Sequence, residues 1–232
     1  MMIDWLDEYE VPVFPDTSRA MADPNGLIAA GGHISPLWLD SAYRRGIFPW
    51  NDPQEARLWW TPSPRAVIVP ESFHVPRRIA KECRNTPLRV TSNQAFAAVM
   101  EGCAGPRRDQ AGTWIDDEIL ETYPALHACG RAVSIECWTP EGDLAGGFYG
   151  LLIGSALFGE SMFSRVSGAS RIAFACAAPV FFESGITMID CQMRTEHLAR
   201  FGLTELARPD FEQLLKKAVN AAPVRPLPGI IR

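Results

Sequence analysis

Ala156-Leu157-Phe158-Gly159-Glu160-Ser161-Met162-Phe163-Ser164-Arg165 reads as an apolar strand with a carboxylate at its centre, and Met188-Ile189-Asp190-Cys191-Gln192 reads as a second. Alternation with a period of two puts Phe158, Glu160 and Met162 on one side of the first run, and Leu157, Gly159 and Ser161 on the other. The same rule groups Met188, Asp190 and Gln192, with Ile189 and Cys191 opposite. If the two runs are neighbouring strands, Glu160, Asp190 and Gln192 converge on one concave spot. An unpartnered carboxylate is costly to bury, so this convergence is either a hydrogen-bonded structural network or a site.

Working outward, Leu144–Ile153 and Ala156–Phe163 are expected to form a hairpin through Gly154-Ser155. Gly168-Ala169-Ser170 then opens a long apolar helix to about Glu183, and Thr187–Gln192 follows as a strand. Upstream, Val133–Trp138, Leu88–Thr91 and Ala66–Val69 read as strands. Asn93–Cys103 reads as a helix, and Asp116 caps another that runs to Cys129-Gly130. Ser35-Pro36 provides a helix N-cap and first-turn proline, and Gly46 a stop. A short helix is expected at His197–Phe201 and a final one at Pro209–Val219, followed by a proline-rich tail from Pro223 to Arg232. Strands do not alternate regularly with helices, so the expected class is α+β with a mainly antiparallel sheet. It divides into a small N-terminal α/β domain at 1–63 and a larger domain at 64–232.

With 232 residues, 47% of them hydrophobic, the chain can bury a substantial core. The six cysteines form no Cys-x-x-Cys pair and the histidines lack zinc-ligand spacing, so free thiols and no metal or other cofactor are expected. Met1-Met2-Ile3-Asp4-Trp5 is neither basic nor part of a long apolar run, and no apolar stretch approaches ~18 residues. The expected location is the cytoplasm, away from membranes. The net charge of −5 excludes a wholly basic nucleic-acid binder. Even so, Arg77, Arg78, Lys81 and Arg84 share a face of a helix expected at Val75–Arg84. That face is either merely solvated or a dock for a phosphate backbone. The aromatics of Phe48-Pro49-Trp50 and Leu58-Trp59-Trp60 either pack between subdomains or stack on unpaired bases. Arg165-Val166-Ser167-Gly168-Ala169-Ser170 nearly matches the pyrophosphate loop of acyl-CoA-dependent N-acetyltransferases, but ends in Ser.

Six strings resemble the leucyl/phenylalanyl-tRNA–protein transferases: Asp23-Pro24-Asn25-Gly26-Leu27, Gly46-Ile47-Phe48-Pro49-Trp50, Trp59-Trp60-Thr61-Pro62, Gly112-Thr113-Trp114-Ile115, Phe158-Gly159-Glu160-Ser161-Met162-Phe163-Ser164 and Ile189-Asp190-Cys191-Gln192. The likeness runs from about residue 14 to 215. It implies a larger domain of acetyltransferase-like fold and a monomeric cytosolic enzyme. Such an enzyme moves Leu or Phe, less readily Met, from aminoacyl-tRNA to the α-amino group of proteins beginning with Arg or Lys, marking them for degradation. The resemblance also implies that Asp190 and Gln192 orient the attacking amine and help move its proton, while Glu160 adds negative charge beside the acceptor. It places the donor side chain against Phe148, Leu157, Met162 and Ile189, the acceptor stem on the basic helix, and the tRNA 3′ end near Tyr43, Trp50, Trp114 and Ser170, with Tyr43, Trp50 and Trp114 either stacking on the terminal adenosine or fixing the domain interface. The chain departs from the family pattern at His33, Leu157 and Arg171.

The chemistry is compatible with that reading. An aminoacyl ester is already activated, and an α-amino group with a pKa near ~7.8 is roughly one-fifth neutral near pH 7.2, so positioning and oxyanion stabilisation can supply most of the acceleration. Two other readings stand beside it: an acyl-CoA N-acyltransferase, which would bind CoA, and a non-catalytic tRNA- or N-terminus-binding module, which would bind peptide without turnover.

Overall fold

The computed structural model describes residues 3–105 and 113–232; the expected Arg107–Gly112 loop lies outside them. Two sheets organise the chain. The smaller is built from β1 (Asp4–Leu6), β2 (Leu27–Gly31), β3 (Phe48–Pro49) and β4 (Leu58–Trp60), in the order β1-β2-β4-β3. Helix α1 (Pro36–Tyr43) connects β2 to β3. Ser35 caps it by accepting from the Trp38 N–H, and Pro36 occupies its first turn, where no intrahelical N–H is needed. Residues 61–64 connect β4 to the second sheet.

The larger sheet comprises β5 (Arg65–Ile68), β6 (Arg89–Ser92), β7 (Ala132–Trp138), β8 (Leu144–Ile153), β9 (Ala156–Ser164), β10 (Met188–Gln192) and β11 (Thr204–Leu206), in the order β11-β5-β10-β9-β8-β7-β6. Among the described residues only the β9–β10 pair is parallel within it, because a long helix returns the chain to the starting end. The helices in chain order are α2 (Arg77–Asn85), α3 (Phe96–Ala104), α4 (Asp117–Ala128), α5 (Ala169–Ser184), α6 (Glu196–Ala199) and α7 (Arg208–Val219). Asp116 caps α4 by accepting from the Ile119 N–H at 3.0 Å. The β8–β9 hairpin turns at Gly154, whose φ is +60° and whose Cβ, if present, would strike the Ala218 carbonyl. The observed class is the expected one, α+β with a mainly antiparallel sheet.

One face of the large sheet packs on α5 through Phe148, Leu157, Phe174, Phe181 and Ile189. The opposite face contributes Tyr149, Phe158 and Met188 to a cluster that continues without a break into Trp38, Tyr43 and Trp59 of the N-terminal region. The two sheets therefore share a core. The C-terminal tail closes the β6 edge: Ile230 bridges Thr91, Ile231 and Arg232 donate to the Val90 carbonyl at 3.0 Å each, and the Val90 N–H returns a bond to Arg232 at 2.7 Å. Covering a sheet edge in this way removes a template for aggregation.

Candidate active site

The cavity opens where β9 and β10 part. Their pairing runs from Met188–Ala156 through Asp190–Phe158 and stops there, although β9 continues to Ser164. Each strand also carries an irregularity at this point. On β9 the register to β8 passes from Tyr149–Ser161 to Gly150–Gly159, leaving Glu160 unpaired as the extra residue of a bulge. On β10 the register to β5 passes from Asp190–Val67 to Gln192–Ala66, leaving Cys191 as the extra residue, and Gln192 takes a left-handed φ of +56°.

These bulges overturn the simple alternation expected from the sequence. Met162 pairs with Phe148 and Leu157 with Leu152, so Leu157 and Met162 face the same side despite their odd separation. Gln192 likewise turns to the side opposite Asp190. The cavity, of about 310 Å³, brings together Phe148, Leu157, Met162 and Ile189 with Glu160 and Gln192, and adds Phe174, His197 and Leu198. A second chamber of about 140 Å³ shares Glu160, Gln192 and Trp114 with it and is walled by Phe48, Pro49 and Trp50 from the small sheet.

Asp190 does not join them. Both of its oxygens are held by Arg65, with Nε at 2.9 Å from Oδ1 and Nη2 at 2.7 Å from Oδ2, and both side chains are fully buried. The guanidinium lies between the rings of Phe48 and Phe211, 4.8 and 4.7 Å from their centroids, and donates through Nη1 to the Gly46 carbonyl at 2.9 Å. Asp190, expected to help orient the attacking amine and move its proton, is enclosed in this bidentate ion pair and is not among the residues lining either chamber. Oδ1 also accepts the Gln192 N–H at 2.9 Å, which holds the bulge that turns Gln192 inward.

Glu160 is the opposite case. Burial pushes its carboxyl up to about 8, and the Asp190 charge adds to this; Tyr43, Tyr123 and Arg65 pull the other way. The two phenols lie against the carboxyl, yet among the described residues Oε1 and both hydroxyls complete no hydrogen bond of good geometry. Tyr43 shares this placement. Only 1% exposed and edge-on to Phe158 at 4.9 Å, it offers no face to a base, because α1 turns its Leu39, Ala42 and Tyr43 side into the core. Trp50 is 44% exposed and edge-on to Trp60, and with Trp114 it lines the smaller chamber. Ser170 lies in the first turn of α5 and bonds with Ser164, away from both chambers.

Neither Cys191 nor His197 in the cavity wall is poised as a covalent nucleophile. The Cys191 thiol is pushed up by burial and then by the Asp190 charge, which disfavours the thiolate. Burial, with Arg171 and Arg200 nearby, lowers the His197 pKa and keeps the imidazole neutral. Among the described residues, no group of three or more His, Cys, Asp or Glu is placed to hold a metal ion.

Comparison with known proteins fits this geometry to a family. The family model described as leucyl/phenylalanyl-tRNA protein transferase matches residues 67–216, and that of its N-terminal domain matches 32–63. Leucyl/phenylalanyl-tRNA–protein transferases from Saccharophagus degradans and Laribacter hongkongensis are 46% and 47% identical to this chain. The first alignment covers 94% of this chain and 89% of the relative, the second 98% and 94%. The chain belongs to the leucyl/phenylalanyl-tRNA protein transferase family. This is a family of aminoacyltransferases.

Solved structures with a loosely similar arrangement include a GCN5-related N-acetyltransferase from Kribbella flavida, with a TM-score of 0.40 and 15% identity over 71% of this chain and 58% of that one. Another is L-PGS from Bacillus licheniformis, with a TM-score of 0.37 and 14% identity over 77% and 59%.

In this transferase-family chain, Arg77, Arg78, Lys81 and Arg84 are exposed on α2. Arg78 pairs with Glu82 at 3.3 Å, while among the described residues Arg77, Lys81 and Arg84 have no carboxylate partner. Arg171 binds Glu82 at 2.8 Å and fastens α2 to α5. His33 is tilted against Trp38 at 5.2 Å. Sequence reasoning missed Arg65, Tyr123 and His197. The available signal for Arg65 was a charge opening the strand Arg65-Ala66-Val67-Ile68, whose other residues are apolar.

Proposed function

We propose that the protein transfers Leu or Phe, and less readily Met, from aminoacyl-tRNA to the α-amino group of proteins beginning with Arg or Lys, marking them for degradation, and that it works as a cytoplasmic monomer. The observation that carries this reading is the parted β9–β10 cavity, apolar along Phe148, Leu157, Met162 and Ile189, with Glu160 and Gln192 at the junction with the tryptophan-walled chamber. An apolar donor side chain fits the first chamber, and Met162 adapts its wall to Leu or Phe by repacking. The terminal base stacks near Trp50 and Trp114 in the second. The exposed α2 cations hold the acceptor stem through its phosphates. Among the described residues no helix is long and apolar enough to cross a membrane.

The chemistry takes two protons from the acceptor nitrogen. The α-ammonium of the acceptor titrates near ~7.8, and burial pushes the Glu160 carboxyl up to about 8, so the ionised form of Glu160 is a base matched to that ammonium. Glu160 takes the first proton, and the neutral amine, oriented by the Gln192 carbonyl, attacks the ester carbon. The new C–N bond forms, and as the bond to the ribose oxygen breaks the second proton passes from the attacking nitrogen to that oxygen, while Glu160 releases the first to solvent.

The deciding experiment is transfer of labelled Leu or Phe from charged tRNA to peptides starting with Arg, Lys or Ala, with neither CoA nor metal added. Transfer to Arg and Lys peptides is expected. A folded protein that binds tRNA and transfers to none of them overturns the reading.

A further inference from the structure

One ladder row leads from the reacting end of the cavity to the open edge of the large sheet. Gln192 pairs with Ala66, and Ala66 pairs with Glu205 on β11. Ladder partners project to the same face of a sheet, so Glu205 stands on the cavity face, two strand spacings or roughly 10 Å from Gln192. Neighbouring packing agrees: Leu203 joins the α5-side cluster and Leu206 the opposite one, as alternation around Glu205 requires. The sheet ends at β11.

Glu205 already has a cation of the relevant chemistry beside it. Arg194 Nη1 lies 3.8 Å from Glu205 and Nη2 lies 4.0 Å from Glu196, and all three side chains are substantially exposed. Loose, monodentate pairs of this kind contribute about 0–1 kcal/mol, so they are readily exchanged. Arg194 sits between Met193, which lines the smaller chamber, and Thr195, which lines both, so the cation is tethered at the mouth of the site. A separate observation concerns the reacting end: Glu160, with one carboxyl oxygen buried against the Tyr43 and Tyr123 phenols, lines both chambers together with Gln192. A polypeptide that begins with Arg or Lys carries two cations, its α-ammonium and its side chain. The protein offers a carboxylate for each.

We infer that Glu205 selects the cationic first side chain of the acceptor, and that Arg194 occupies this place until an acceptor arrives. This rests on the acceptor assignment proposed above. Binding exchanges one ion pair for another: Arg194 swings into solvent and the acceptor side chain takes its contact with Glu205. Discrimination then comes from an uncharged first residue having nothing with which to displace Arg194.

The test is steady-state transfer from Phe-tRNA to peptides beginning with Arg, Lys or citrulline, the last a neutral isostere of Arg. In Glu205→Gln the KM for the Arg and Lys peptides is expected to rise roughly fivefold, with kcat and the citrulline peptide little changed. Arg194→Gln is expected to lower the KM for the Arg peptide, and Glu205→Lys to shift preference toward peptides beginning with Asp or Glu. An unchanged Arg-to-citrulline ratio in Glu205→Gln overturns the inference, and so does an equal fall in kcat on every peptide. A wild-type protein that transfers to Arg and citrulline alike overturns it too while leaving the transferase reading intact. A wild-type protein that transfers to no peptide defeats both.

Discussion

Glu160 and Asp190 lie on adjacent strands, yet only one of them has a cation fixed beside it, and that difference decides what each can do. With its carboxyl raised from 4.5 to about 8, Glu160 stays protonated in the folded chain over an interval in which the unfolded chain has already ionised. The folded state holds the extra proton, so this residue makes stability fall as pH rises from about 4.5 to 8 and contributes no further slope above that. Glu160→Gln is expected to remove the slope: similar stability to the wild type near pH 4, and higher resistance to denaturant at pH 9. The same variant is expected to lower kcat about 10²-fold and to erase the rise in rate that the enzyme contributes on approaching pH 8. That rise is separable from titration of the amine by using an acceptor whose α-amino pKa is depressed. For Asp190 the expectation is different in kind. Asp190→Asn leaves the Arg65 charge buried without its partner and is expected to cost about 3–5 kcal/mol, read as a shift in urea midpoint. Arg65→Met combined with Asp190→Leu is expected to recover much of that stability, since two apolar groups can replace a buried pair. It does not restore transfer, because the bond holding the Gln192 N–H is still missing.

Among the elements, α2 is the one whose surface has the least structural explanation. Ile79 is its buried anchor, Glu82 ties it to α5, and its cations are otherwise left to solvent. Lys81→Glu with Arg84→Glu is expected to raise the KM for charged tRNA about tenfold or more at low salt and to flatten the salt dependence of binding by roughly 0.7–0.9 per lost phosphate contact. Transfer from a small aminoacyl-nucleoside should be unaffected, and equal loss with both donors would assign the helix to folding instead. The elements that alternation, caps and turn residues specify were legible in advance: the β8–β9 hairpin, α1 with its Ser35-Pro36 start, α4 behind Asp116, and α5. Strands β1, β3, β4 and β11 were not, because runs of two or three residues are too short to show a period. The bulges at Glu160 and Cys191 escaped for a related reason. A bulge adds one residue to a single strand, and nothing in a local apolar pattern records what the neighbouring strand does.

At the scale of the whole molecule, the shared core makes the two sheets interdependent. Trp38 and Trp59 belong to the same buried cluster as Tyr149, Phe158 and Phe211, and the smaller chamber takes walls from both sheets. Unfolding is therefore expected as one transition, with tryptophan fluorescence, weighted toward the small sheet, coinciding with far-UV circular dichroism, weighted toward the large one. Two separated midpoints would show that the sheets fold independently.

The sequence by itself determined the α+β class, the order of most elements, the family, and the residue types gathered at the site: Glu160, Gln192 and the apolar Phe148, Leu157, Met162 and Ile189. These are carried by patterns of two to twelve neighbouring residues and by strings that any fold of this chain must contain. Only the tertiary structure decided which way those residues face. It sent Asp190 to Arg65, 125 positions away in the chain, buried Tyr43 behind Glu160, turned Gln192 inward, and set Glu205 in line with it on the sheet edge. Each of these outcomes depends on register between strands distant in sequence and on partners that compensate a buried charge. Both are properties of pairs, and a single strand read alone contains only one member of each.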